Sequence, residues 1–584
     1  MVQKKKRLVT TLAVATSIGM VLSACGDGGE GAQSRGFDDC EENPNTCNSA
    51  DAVGDEELVW VIDGEWSGYS EVYSETSNNY TTQAIEPVFP QVGRWQPDGT
   101  WEHNPHVLTE EPEMISEEPL TVAYHINPEG TWGDGVGFSL DDFIYNWYAW
   151  SGDEDKCIGC QPRRTSYGGN VEDIVEVDDN EIHVVYEEGH KTPEWMYPMV
   201  LTNPAHLAEE YGFEDWQDDP EVMGESLQHF VTNMPEYSAG PFKYVDEEMG
   251  DYIELERNDE WVGGDTPVQD NIRIESMEDP ETILTELRQG TVHGVNMGRY
   301  DPEIVEQLET AEDMNYILEE SSNWRHFTLN TQNEFLQDPV MRHATLIAID
   351  NQAVLDRTIG LTYDDFRPKL NHVFRDDSDY FVDLISDAGH GSGDTERAME
   401  LLEDEGYTWD DSDQLLTPDG EEVALEYRVP SSGADAQTTA ELVQEHLIDI
   451  GVDASINTYQ VDAFSATLDN AEFDIINFQW TGSPEFANNP QTQWHSSSGS
   501  NYGGLDSEEI DDLIAEIYST VDMDEAAEYA NDAVQAVIDE AYVLPQSDSP
   551  ELLVVQEGIV NVRHNPNSNL DAFYNMGEWG WADE

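Results

Sequence analysis

Val423-Ala424-Leu425-Glu426-Tyr427-Arg428-Val429 alternates apolar and polar residues, and the segments downstream of it decide the fold. Such alternation is the mark of a strand with one buried face. From Asp435 to Ile450 the spacing predicts a helix, closed by Gly451. Asp453-Ala454-Ser455-Ile456-Asn457 and Phe473-Asp474-Ile475-Ile476-Asn477-Phe478 then read as two more strands. Strands separated by helices of this length imply an α/β sheet. Just upstream, Glu396 to Gly406 predicts an amphipathic helix with Ala398, Leu401 and Leu402 inward and Gly406 at its C-terminal cap.

The same grammar holds further toward the N-terminus. Leu58-Val59-Trp60-Val61-Ile62 is a short buried-strand pattern, and Thr81 to Phe89 predicts a helix closed by Pro90. Trp95 and Trp101 flank an Asp98-Gly99 turn, as in a hairpin. Leu120 to Ile126 alternates as a strand. Ser139 with Asp142 three residues on resembles a capping box, opening a helix from Leu140 to Trp150 with Phe143, Ile144, Trp147 and Tyr148 on one face.

The N-terminus carries Lys4, Lys5, Lys6 and Arg7, then an apolar run from Leu8 to Leu22 that leads through Ser23-Ala24 into Cys25. The run is short of the ~20 residues a bilayer span needs. A charged start, an apolar stretch and a small-residue cleavage site make a signal peptide, residues 1–24. The small residues running into cysteine resemble a bacterial lipobox, so Cys25 is the expected lipidation site and the membrane anchor. Residues 25–55, rich in Gly, Asp, Glu, Asn and Ser, have the composition of a flexible tether, with folded structure expected from near Glu57.

With 24 Lys+Arg against 124 Asp+Glu, the 584-residue chain has a formal net charge of -100. Phosphate repels such a surface, which excludes nucleic acid as a partner. The acid is spread along the chain, as suits a surface working in high salt. No Asp-x-Asp-x-Asp-Gly loop with a closing Glu marks a calcium store. Besides Cys25, four cysteines fall into two close pairs, Cys40/Cys47 and Cys157/Cys160, and an even count outside the cell reads as disulfides. Cys157-Ile158-Gly159-Cys160 also matches a redox motif, but Asp153, Glu154 and Asp155 beside it would raise a thiol pKa, which favours a structural clip. Four-cysteine zinc binding would need far closer pairs. His103 and His106 are close in sequence, but Pro105 prevents a helical metal pair. No cofactor or metal is called for, and no catalytic motif appears.

Several motifs in a fixed order resemble the dipeptide- and oligopeptide-binding proteins of ABC transporters, the family 5 extracellular solute-binding proteins. They are Trp132-Gly133-Asp134-Gly135 before the Leu140-Asp141-Asp142-Phe143 helix start, Ser238-Ala239-Gly240-Pro241-Phe242, and Arg257-Asn258-Asp259-Glu260-Trp261. Leu287-Arg288-Gln289-Gly290-Thr291-Val292 and Asp338-Pro339-Val340-Met341-Arg342 come next, in the family's order. The resemblance implies a two-lobed α/β fold of the periplasmic-binding-protein type, with an extra domain and hinge strands joining the lobes. It places lobe I at residues 56–90, 236–325 and 543–584, domain II at 91–235 and lobe III at 326–542.

Such a receptor closes two lobes on its ligand and needs no nucleophile or general base. It needs aromatic walls and a few placed polar groups. The resemblance puts Asn78, Asn79 and Tyr80 where the first domain meets ligand, and Trp132 is a second candidate. The strand ending at Trp480 opens into Thr481-Gly482-Ser483-Pro484-Glu485, beyond the carboxyl end of a strand, where α/β sheets bind ligands. Ser483 falls where peptide binders of the family carry an acidic anchor, and Glu485 could replace it. Pro430-Ser431-Ser432-Gly433 lacks the Arg with which dipeptide binders hold a carboxylate.

The expected function is a monomeric, lipid-anchored receptor on the outer face of the cell membrane, delivering a peptide or similar small solute to an ABC permease. The competing expectations are a transport-independent envelope lipoprotein that binds or regulates mannolipid biosynthesis, and a secreted redox enzyme built on Cys157 and Cys160.

Overall fold

The structure is a computed structural model describing residues 33–583, other than 55, 74–75, 90, 161, 163–167, 198, 299, 301, 364, 432, 461–462, 483 and 569. The leader, Cys25 and Ser483 therefore lie outside the described residues. No helix among the described residues is long and apolar enough to cross a membrane.

Ala424–Pro430 pairs in parallel with both Asp453–Tyr459 and Ile475–Trp480, and the helix Ala434–Asp449 connects the first two. The α/β reading of this region is met, the first strand running one residue and the other two running two residues past their expected ends. Gly451 ends the helix connection with φ of 92°, the left-handed backbone that glycine adopts without strain.

These three strands are one end of an 11-stranded mixed sheet. At its other end lie Phe242–Glu248, Tyr252–Arg257, Asn271–Ser276, Leu58–Ile62 and Gly294–Met297. Two long antiparallel strands, Met314–Leu329 and Val543–Gln556, join the halves. Their pairing breaks between Glu320 and Trp324, at the polar run Ser321-Ser322-Asn323. This is the two-lobed α/β fold with hinge strands. The halves bury separate cores, one around Trp60, Phe573 and Trp579 and another around Phe327, Tyr427 and Val443.

A separate four-stranded antiparallel sheet has the order Glu113–Glu117, Leu120–His125, Glu181–Tyr186, Val171–Asp178, and its inner residues share the core around Trp60. Its helix Leu140–Trp150 has the Ser139/Asp142 capping box. Burial on it is wider than one stripe: Tyr145, Asn146 and Ala149 are buried with Phe143 and Trp147. Asn146 accepts from the Thr202 and Asn203 N–H groups, so the far face of the helix is covered by chain as well.

Where composition suggests a tether, residues 33–53 lie against the folded body. Gln33–Arg35 adds to Met314–Leu329, Phe37 is buried, and Ala52–Val53 pairs with Gly580–Ala582. The disulfide Cys40–Cys47 closes a loop within this segment, and Cys157–Cys160 forms a second. Both Cys157 and Cys160 are buried, a poor position for a thiol that must reach a substrate.

Candidate functional site

Asn78 caps the helix Asn79–Ile85 by accepting from the Thr81 N–H at 2.8 Å. Thr81, Ala84 and Ile85 turn into the core. At helical spacing, Asn79, Thr82 and Glu86 share the other face, and all three line a cavity of about 310 Å³. That volume is at the small end of the ~300–1,000 Å³ typical of ligand pockets.

The hairpin Gly93–Trp95 with Trp101–His103 supplies the adjoining wall through Arg94, Trp95 and Trp101. Tyr197 meets both tryptophans at a tilt, with ring centroids 4.8 and 5.6 Å away. Opposite, the chain leaving the strand Ile475–Trp480 contributes Thr481, Gly482 and Glu485. Trp95 Nε1 donates to Glu485 Oε1 at 3.4 Å, linking the hairpin to that loop.

The charge in the cavity is mainly negative. Glu71, Glu86 and Glu485 line it, and Arg94 is the one basic side chain among the described lining residues. Arg94 is committed: it is 3.6 Å from Glu86 and also donates to the Tyr574 carbonyl. Burial pushes the Glu86 carboxyl up to about 7, against the pull of Arg94 and with help from Glu71. Behind the cavity wall, Glu194 accepts from the N–H groups of Phe486 at 2.5 Å and Ala487 at 2.9 Å. Burial, and then the charge of Glu485, push its carboxyl up to about 8.

Of the residues singled out from sequence, Asn79, Thr481, Gly482 and Glu485 come together here. Asn78 serves the helix start instead, its Nδ2 donating to Ser67 Oγ at 3.2 Å. The Tyr80 ring occupies the space that a Cβ on Gly64 would need and packs on the core. Trp132 is fully buried, donating to Asp142 Oδ2 at 3.2 Å and meeting Phe138 and Tyr237 edge-on. Trp480 shares the face of Phe478, two residues before it, and stacks on Tyr502 and His326. Neither tryptophan is among the described residues lining the cavity. Ser483 lies outside the described residues.

His106 is no metal ligand here. Its Nδ1 accepts from the Val262 N–H and its Nε2 meets the Thr131 carbonyl at 2.9 Å, while burial pushes its pKa down to about 4. The sequence reading missed Glu86, Arg94 and Tyr197. Glu86 and Arg94 flank a helix end and a hairpin start, with no local signal that the two would meet.

A family model described as bacterial extracellular solute-binding proteins, family 5 middle, matches residues 104–502. The chain belongs to that family. This family 5 protein is 26% identical over 515 residues to the oligopeptide-binding protein OppA of Mycobacterium tuberculosis, covering 86% of this chain and 81% of that one. It is 22% identical over 537 residues to the dipeptide-binding protein DppE of Bacillus subtilis, covering 87% and 88%. Among solved structures, the periplasmic EDTA-binding protein EppA superposes with a TM-score of 0.85 at 24% identity, over 93% of this chain and 99% of that one. The oligopeptide-binding protein AppA of Bacillus subtilis, in complex with a nonapeptide, superposes with a TM-score of 0.70 at 16% identity, over 91% and 100%. These likenesses establish the family 5 fold for this chain. The curated relatives are named as binding proteins rather than enzymes.

Proposed function

We propose that this protein is the peptide receptor of an ABC importer. It is held on the outer face of the membrane by lipid on Cys25 and acts as a monomer that hands its solute to a permease. Lobe I (56–90, 236–325, 543–584), domain II (91–235) and lobe III (326–542) close on the solute in the cavity described above. The observation that carries the reading is the acidic, aromatic lining. Glu485 and Glu71 offer carboxylates to a peptide ammonium group, while Trp95, Trp101 and Tyr197 offer flat apolar surface to side chains. Removing a charged ligand group from water is costly without a partner. Arg94 is already tied to Glu86, so the site favours a free amino end inside and a carboxylate directed toward solvent. The names of the relatives support the same solute class.

Calorimetry with a short alanine peptide at pH 7 tests this. N-acetylation of the peptide is expected to weaken binding by at least about tenfold, which is ~1.4 kcal/mol. Glu485→Gln should weaken the free-amine peptide by a similar factor. Equal affinity for the free and acetylated peptides, or no binding of either, would overturn the proposal.

A further inference from the structure

Three side chains from separate parts of the C-terminal segment meet behind the cavity wall. Glu551 comes from the long strand Val543–Gln556, His564 from the loop after Ile559–Val560, and Asp571 from the start of the 3₁₀ stretch Asp571–Glu578. One ligand-type atom from each lies within 4.8 Å of the others. His564 is 5% exposed, and neither ring nitrogen has a hydrogen-bond partner. A buried polar atom left without a partner costs about 1–3 kcal/mol, so an imidazole with both nitrogens unpaired beside two carboxylates needs an explanation.

The carboxylates themselves are held by amides. Glu551 accepts from Asn323 Nδ2 at 2.8 Å and from Asn296 Nδ2 at 3.3 Å, and Asp571 accepts from Gln83 Nε2 at 2.6 Å. Asn296 Oδ1 is buried without a partner next to them. These contacts orient the carboxylates as supporting groups orient metal ligands, and leave further lone pairs free.

We infer that Glu551, His564 and Asp571 form a site for one zinc-type divalent cation, behind the wall of the solute cavity and separate from it. Two carboxylates balance a dication, and one imidazole with oxygen ligands suits a borderline first-row ion better than calcium or magnesium. Zinc ligands lie about 2.0–2.2 Å from the ion, so tetrahedral neighbours are ~3.4 Å apart and the side chains would draw in by roughly an ångström. The cation satisfies the imidazole and removes the repulsion between the carboxylates in a single step. The rival is a proton shared by Glu551 and Asp571, which relieves the repulsion but leaves the imidazole unpaired.

The test uses the full chain, freed of metal over a chelating resin, then equilibrated with Zn²⁺ and desalted. One zinc per chain should remain, and its X-ray absorption spectrum should show a single imidazole among oxygen ligands. His564→Ala and Asp571→Asn, each with a wild-type circular dichroism spectrum, should lower zinc affinity at least ~10-fold, the scale found even for groups that only support a ligand. Glu485→Gln in the solute cavity should leave zinc affinity unchanged. No stoichiometric zinc in the wild type, or unchanged affinity in either site variant, would overturn the inference. So would a spectrum with two imidazoles, which points instead to His343 and His390, in contact at 2.9 Å. If the variants do not fold, the wild-type stoichiometry and spectrum decide the matter alone.

Discussion

Two pairs of carboxylates lie close together beside the solute cavity, and they are solvated differently. Glu194, next to Glu485, is held by consecutive main-chain N–H groups of Phe486 and Ala487. Glu551 and Asp571 are held by the side-chain amides of Asn323, Asn296 and Gln83 and face an unpartnered imidazole. Like charges in a buried site cannot both persist unless something compensates one of them. In the first pair burial and the neighbouring charge outweigh the two N–H donors, which favour the charged form, and a proton is the compensator. In the second a nitrogen ligand stands ready, and a cation serves. The surroundings of a carboxylate pair, more than its charge, set what it responds to.

The largest expected effect separates the pairs by pH. The Glu194 carboxyl, ordinarily near 4.5, is pushed up to about 8 in the folded protein. An acid whose pKa is raised on folding favours the folded form at low pH. Its contribution is complete below the ordinary value, declines as pH rises above it and is gone once pH passes about 8. The contribution of this group should therefore fall between pH 5 and 8, at up to about 1.4 kcal/mol per pH unit. It is read as the difference between the wild type and a Glu194 variant, because His106, His326, His372 and His390, whose pKa values burial pushes down, shift stability the other way below pH 6.5. Denaturant melts across that range check it. Glu194→Gln, which keeps the acceptor oxygen, should remove this downward contribution, so that its stability declines less, or rises more, with pH than the wild type's; an unchanged slope would break the comparison on its first side.

Next in size is Trp480→Ala. Trp480 stacks on Tyr502 and His326 beneath the loop that carries Glu485. Truncation should cost about 3 kcal/mol of stability, the low end for a large aromatic. Peptide affinity of the folded fraction should stay near wild type by calorimetry. A large loss of affinity with normal stability would move Trp480 into the cavity.

A smaller effect tests whether the two regions are coupled. Asn323 accepts from the Gly482 N–H at 3.2 Å and donates to Glu551 at 2.8 Å, so it touches the cavity loop and the inferred cation site at once. Asn323→Ala leaves the Gly482 N–H unpaired and the Glu551 carboxylate with one donor fewer, and should cost about 2 kcal/mol. Zinc and peptide affinities measured on this variant should both fall. A loss in only one of them would show the regions to be independent.

The sequence made some of this legible and hid the rest for physical reasons. The strands around Ala424–Pro430 could be read because each alternates or clusters apolar residues and each is closed by a local signal such as Gly451. The crossing strands Met314–Leu329 and Val543–Gln556 have polar runs at the hinge, Glu319 to Asn323 and Gln546 to Glu551, which break any strand pattern. Their pairing joins residues more than two hundred positions apart. Residues 33–53 have the composition of a tether, yet they fold against the body through a few contacts such as Phe37 that composition averages away. At the cavity, the loop after Trp480 was legible because a strand end is a general ligand position. Strict period-two counting from Ile476 and Phe478 would have put Trp480 on the packed face. Trp132 looked like a cavity wall because its partner, Asp142, appeared only as a helix cap; one carboxylate does both jobs. The Glu86–Arg94 contact could not be seen, since nothing local brings the helix end to the hairpin.

The most direct test of the central claim is a crystal structure of the protein with a bound free-amine peptide. The peptide is expected in the cavity between the hairpin Trp95–Trp101 and the loop Thr481–Glu485, its ammonium nitrogen about 2.7–3.2 Å from a Glu485 carboxylate oxygen. A peptide seated instead in the neighbouring cavity of about 640 Å³, bordered by Glu102, His103 and Trp261, would contradict the claim.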